Sequence, residues 1–233
     1  MLNEQLIFNL IRRSAFNRED YFISSTNNLS IKILDNWNKS FDTGLIIVGP
    51  AACGKSHLSA VWSKETSAII YNFPTFLETE INFIAKDHFI VLEDLEMLQL
   101  VYGKKKLIVE EKILHIFNNL SENSGKIIFT SRKLPKFWGV ELKDLLSRLM
   151  SLTILELNIP DDNLLAAVMA KQFLDKQIKV DNEVLKYAIP RMERSFLFAK
   201  KLVEELDLES LKTNKPIKKI MVNKIIEKLN SKT

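Results

Sequence analysis

The sequence predicts an α/β fold: a parallel five-stranded sheet flanked by helices, with a small all-helical domain after it. Three observations carry this expectation. Five short apolar runs of strand length recur between residues 45 and 157, with helical patterns between most of them. Strand and helix in alternation favour a parallel sheet. A glycine-containing loop of phosphate-binding type follows the first run and precedes a helical pattern. From Pro160 onward the strand-like runs stop and the apolar spacing turns helical.

Taken in order, residues 1–15 read as a short N-terminal arm. Within it, Gln5-Leu-Ile-Phe-Asn-Leu10 puts Leu6, Phe8 and Leu10 on one side of an extended peptide. An edge strand fits the same residues. So does a first helical turn that packs Leu6, Leu10 and Arg13. Residues 16–157 hold the runs Leu45–Val48, Ala68–Phe73, Phe89–Leu92, Lys126–Thr130 and Thr153–Leu157, each read as a buried strand. Residues 158–233 form the helical domain. There Leu165, Val168, Met169 and Phe173 share one helical face; Ala199, Leu202, Val203 and Leu206 share a second. Val222, Ile225, Ile226 and Leu229 share a third, and Asp161 is placed to cap the first of these helices. The lysines from Lys215 to Lys219 read as a solvated helix start rather than a DNA-binding patch.

Composition narrows the function classes. A chain of 233 residues holds one to two domains. Lys and Arg number 33 against 29 Asp and Glu, a net charge of +4 that permits nucleic-acid or clamp-like partners without demanding them. One cysteine, Cys53, leaves no internal disulfide framework. No apolar run approaches the roughly 20 residues of a membrane helix, and the N-terminus lacks signal-peptide features. A cytoplasmic protein without membrane attachment is expected. His57, His88 and His115 are scattered, with no metal-ligand spacing.

The chemistry concentrates in one motif. Gly49-Pro50-Ala51-Ala52-Cys53-Gly54-Lys55-Ser56 fits G-x-x-x-x-G-K-[ST] between a strand and a helical pattern that starts at His57. Backbone N–H groups of such a loop wrap phosphate oxygens, and the helix behind it presents its positive end. Gly54 permits the tight backbone, Lys55 is the expected ligand of the β- and γ-phosphates, and Ser56 that of Mg²⁺. Pro50, Ala51, Ala52, Cys53 and His57 belong to the same cradle. A metal-bound nucleotide also needs an acid at the end of another strand. Phe89-Ile-Val-Leu-Glu93-Asp94 offers Glu93 for the Mg²⁺ shell and Asp94 for the water-orienting position. Asp in that position is shorter than Glu by one methylene, which disfavours efficient hydrolysis by this chain alone. The run Lys126-Ile-Ile-Phe-Thr130-Ser131 ends in two hydroxyls. It fits a γ-phosphate sensor and a simple strand-end turn equally well.

These motifs together resemble the AAA+ module of the DnaA-related family. More closely, the chain is similar to the family's Hda-type regulators in their alphaproteobacterial form. The resemblance runs over nearly the whole chain, from Phe16-Asn-Arg-Glu-Asp-Tyr-Phe22 and Asn27 through the phosphate loop, Glu93-Asp94 and Thr130-Ser131. It continues to Leu142-Lys-Asp-Leu-Leu-Ser-Arg148-Leu and Arg191-Met-Glu-Arg194-Ser. It implies that Phe22 and Asn27 lie in the stretch packing around adenine, and that ADP or ATP with Mg²⁺ is the ligand. It further implies that Arg148 is an arginine finger acting in trans, and that Arg194 reaches from the helical lid to the phosphates. Read alone, Arg148 fits an ion pair with Asp144 four residues earlier. Read alone, Arg194 fits a solvent-facing residue near a helix start. The chain departs from the family at Arg132 and Lys133, where acidic residues are expected after the sensor strand.

The resemblance also implies partners. Gln5, Leu6, Phe8 and Leu10 look like the hexapeptide by which such regulators bind the sliding clamp, the β subunit of DNA polymerase III. The implied activity is stimulation of ATP hydrolysis on the initiator DnaA, preventing over-initiation of replication. Nothing in the chain points to sequence-specific DNA binding. A trans-acting arginine is also compatible with self-association. The alternative is an autonomous AAA+ ATPase of helicase-loader or DnaA-like type acting in DNA replication.

Overall fold

A computed structural model describes residues 28–40 and 42–231. They divide into two compact units, one over Asn27–Asn158 and one containing the residues from Ile159 on.

The first unit is built on five parallel strands: β1 (Gly44–Val48), β2 (Ile69–Asn72), β3 (Phe89–Glu93), β4 (Lys126–Ser131) and β5 (Thr153–Glu156). Their order across the sheet is β2-β3-β4-β1-β5. Parallel pairing puts the C-terminal ends of β3, β4 and β1 side by side, with Leu92 opposite Phe129 and Val48 opposite Ser131. The helices of this unit are α1 (Asn28–Asn38), α2 (Lys55–Thr66), α3 (Phe73–Glu78), α4 (Ile81–Ile84), α5 (Gly103–Glu122) and α6 (Lys143–Ser151). Short 3-10 turns cover Leu95–Leu100 and Pro135–Phe137.

The core explains the sequence pattern. β1 is buried at every position, as expected of a central strand covered on both faces. Ile46, Ile90, Leu92, Ile127 and Phe129 pack with Val109, Ile113, Ile116 and Phe117 of α5 and with Trp138, Leu145 and Leu149. The outer strands correct one expectation. β2 is not a buried strand: it lies at the sheet edge, and Ile69 and Ile70 are exposed. β5, at the other edge, buries only Leu155 within its span. An apolar run reports strand propensity but not how many neighbours the strand acquires. The second strand is also shorter than the run, because Asn72 caps α3, its side chain accepting from the Thr75 N–H at 2.9 Å.

The helical unit contains α7 (Asp162–Asp175), α8 (Asn182–Ala188), α9 (Phe196–Thr213) and α10 (Lys219–Asn230). Asp161 caps α7, accepting from the Leu164 N–H at 2.7 Å. Ser195 caps α9, accepting from the Phe198 N–H at 3.1 Å. The predicted faces meet in one core: Leu165, Met169, Phe173, Ala199, Leu202, Val203, Leu206, Val222, Ile225 and Ile226 are all buried. The Lys215–Lys219 cluster ends at the start of α10, where exposed Lys219 pairs with Glu183 at 3.5 Å. No helix among the described residues is long and apolar enough to cross a membrane.

Candidate functional site

The loop after β1 has the backbone that its residues call for. Ala52 (φ 56°) and Gly54 (φ 103°) both adopt the left-handed region, and α2 starts directly behind Gly54. Gly54 brings no side chain, so the first-turn N–H groups of α2 have no side-chain cap. This leaves donors and the positive helix end free to serve an anion. Gly49 is required by close approach: a Cβ there meets the Leu157 carbonyl oxygen at 2.5 Å and Cys53 Sγ at 2.6 Å. Its N–H donates to the Ser131 carbonyl at 3.1 Å, which ties the loop to the end of β4.

Lys55 is buried, and its ammonium donates to the carbonyls of Gly49 and Pro50 at 2.7 and 2.8 Å. The cation thus sits within the loop, held by the loop's own carbonyls. Ser56 is exposed at the start of α2. Desolvation, with Lys64 as a smaller cause, lowers the His57 pKa from its ordinary value. Burial pushes the Cys53 thiol up against the opposing charge of Lys55, which keeps it protonated and unreactive.

Glu93 ends β3, and Asp94 follows in the left-handed region at φ 59°. The Asp94 N–H donates to Thr130 Oγ1 at 3.2 Å, which joins the acidic pair to the end of the neighbouring strand. The two hydroxyls differ in their partners. Ser131 Oγ is fully buried and accepts from Trp138 Nε1 at 2.9 Å and from the Lys133 N–H at 3.0 Å. Thr130 stands beside Asp94. Sequence reasoning missed Trp138, the one indole in the segment between β4 and α6. Arg132 pairs with buried Glu96 at 3.5 Å.

The phosphate loop, Glu93-Asp94 and Thr130 therefore gather along the C-terminal edge of the sheet, where α/β folds bind ligands. The donor set fits a nucleotide phosphate: uncapped helix amides, a buried lysine, and an acidic pair at the end of β3. Arg148 lies in the last turn of α6, 40% exposed, and pairs with Asp144 at 3.1 Å. Arg194 precedes α9 and pairs with Asp162 at 2.9 Å within the helical unit. Gln5, Leu6, Phe8, Leu10, Phe22 and Asn27 lie outside the described residues.

No protein-family model matches the chain. The chain is similar to the chromosomal replication initiator DnaA of Borrelia turicatae, 24% identical over 252 aligned positions covering 95% of this chain and 50% of the relative. It is 28% identical to DnaA of Mesoplasma florum over 203 positions, 74% of this chain and 44% of that one. The chain thus spans about half the length of these relatives. Among solved structures, domain III of Thermotoga maritima DnaA superposes with a TM-score of 0.76 at 16% identity, covering 90% of this chain and 95% of that domain. DnaA bound to AMPPCP and single-stranded DNA gives 0.67 at 18% identity, over 84% of this chain and 66% of that one. The branch-migration motor RuvB of Thermotoga maritima gives 0.61 at 14% identity, over 87% and 67%. Sequence similarity and fold agree on a DnaA-like AAA+ module.

Proposed function

We propose that this chain is a nucleotide-bound regulator of replication initiation that stimulates ATP hydrolysis on the initiator DnaA. The observation that carries this reading is Arg148, partly exposed on a short helix of a module whose own phosphate loop is intact. Lys55, Ser56 and Glu93 hold ADP or ATP with Mg²⁺ at the chain's own site. AMPPCP in a DnaA neighbour supports an adenine nucleotide. Thr130 and Asp94 answer to the phosphate end, and Arg194 is the helical unit's arginine for the same nucleotide. Gln5, Leu6, Phe8 and Leu10 engage the DNA-loaded sliding clamp. An arginine supplied in trans stabilises charge that develops in phosphoryl transfer, an effect of about 10³–10⁵ in rate.

The test is single-turnover hydrolysis of ATP pre-bound to DnaA, with this chain, ADP and clamp loaded on DNA. Acceleration that needs the clamp, and that falls about 10³-fold in Arg148→Ala, is expected. Paired Leu6→Ala and Phe8→Ala changes should remove clamp binding and leave thermal unfolding unchanged. No acceleration, with clamp and initiator shown to be active, overturns the reading.

A second reading is an autonomous AAA+ ATPase acting on DNA. It is favoured by exposed Tyr102 and Phe137 close in sequence to exposed Lys104, Lys105 and Lys136, since aromatic and basic groups together suit single strands. Robust DNA-stimulated turnover by the purified chain would select it.

A further inference from the structure

We infer that Glu110, on α5, is a positioning residue for Arg148. The inference rests on the reading of Arg148 as the trans-acting arginine. α6 has no cap of its own. Its N-cap residue is Leu142 and the third helical position is Leu145, so neither end of a capping box is present. Asp144, the acid in its first turn, is engaged by Arg148. The acceptor that the acid of a capping box would offer to the N-cap N–H comes instead from another helix. Glu110 is completely buried, and its carboxylate accepts from the Glu141 N–H at 3.0 and 3.1 Å and from the Leu142 N–H at 2.6 Å.

The surroundings reinforce this contact. Lys106, one turn earlier on α5, is buried and pairs with Glu141 at 3.1 Å. Gly139, at φ +70°, turns the chain back just before these amides, with Lys106 Nζ 3.4 Å from where its Cβ would stand. Leu145 and Leu149 seat the other side of α6 in the core. The leucines therefore fix the rotation of α6, and Glu110 fixes where the helix starts. Arg148 stands between those two anchors in the chain, and its own side chain is only lightly held by an exposed ion pair. A buried carboxylate with several bonds to backbone amides is costly to break. A displacement of about 1 Å in a catalytic group can lower a rate about 10²-fold.

Glu110→Gln keeps the shape but replaces one acceptor oxygen with a donor that faces a backbone N–H. Two measurements on the full chain test the role. Hydrogen exchange at the amides of residues 141–151 should quicken at least tenfold, while β1, β3 and β4 keep their protection. In the clamp-dependent assay on DnaA-bound ATP, the maximal stimulated rate should fall at least tenfold at an unchanged half-saturating concentration. Combining the change with Arg148→Ala should slow the reaction no further than Arg148→Ala does alone. Unchanged exchange, or a full additional loss on the Arg148→Ala background, overturns the inference. The underlying reading fails separately, when Arg148→Ala by itself leaves stimulation intact.

Discussion

Thr130 and Ser131 are adjacent hydroxyls at one strand end, and a linear sequence gives no means of choosing between them. Their partners do. Ser131 Oγ is occupied by the Trp138 indole and the Lys133 amide, both contributed by the turn that follows β4. Thr130 Oγ1 accepts from the N–H of Asp94, the member of the acidic pair that follows β3. Thr130 is as buried as Ser131, and its bond to the acidic pair makes it the proposed phosphate sensor. Thr130→Val, which keeps the shape, should shift the chain's nucleotide preference toward ADP. Ser131→Ala should leave that preference alone and lower stability by about 1–3 kcal/mol, because the Lys133 amide loses its acceptor. Calorimetric nucleotide titration with urea unfolding of both variants decides it. A shifted ATP-to-ADP ratio in Ser131→Ala, with none in Thr130→Val, reverses the assignment.

The elements show which parts of the fold were legible in the sequence. The backbone of the phosphate loop was legible, because one contiguous octapeptide holds its turn and its lysine, although α2 starts at Lys55, ahead of the expected start at His57. The three faces of the helical unit were legible because each follows its own 3.6-residue period. The contacts of α5 were not. Glu110 reaches Glu141 and Leu142, Lys112 donates to the carbonyls of Phe76 and Thr79, and Asn119 donates to the Ala85 carbonyl. Each joins residues about thirty apart, with no periodicity to announce it. The edge position of β2 was hidden for the same reason, and its attachment gives a pH test. Tyr71 donates its hydroxyl to Asp87 at 2.8 Å. Burial first, and then Asp87, push its pKa well above the usual tyrosine value. A raised folded-state pKa adds stability that is present below the unfolded value of about 10 and lost as pH climbs through the folded one. Wild type should therefore exceed Tyr71→Phe by about 1 kcal/mol at pH 8, and the gap should close above pH 10. Urea midpoints for both proteins from about pH 8 to about pH 11 measure it. A gap that widens with pH removes the assigned cause.

At the scale of the whole molecule, two cores divide the work, and the helical one gathers the buried apolar residues between Leu165 and Ile226. Its surface ion pairs, Lys176 with Asp207 at 2.8 Å and Lys224 with Glu209 at 2.9 Å, are solvent-facing. Pairs of that kind contribute about 0–1 kcal/mol each. Stability must then come from apolar burial, and above all from Leu202, Ala199, Val222 and Leu165, none of which is exposed. A core in a fragment of this size supplies about 3–5 kcal/mol. Replacing a buried leucine by alanine removes about 2–5 kcal/mol. These magnitudes are comparable, so the fragment 159–231 should melt cooperatively when made alone, and Leu202→Ala should leave it largely unfolded. Lys224→Ala should move its midpoint little, and added salt should do the same. Thermal circular dichroism of the three fragments provides the measurement. A wild-type fragment that binds hydrophobic dye and melts without cooperativity would mean that the helical core is completed from outside itself.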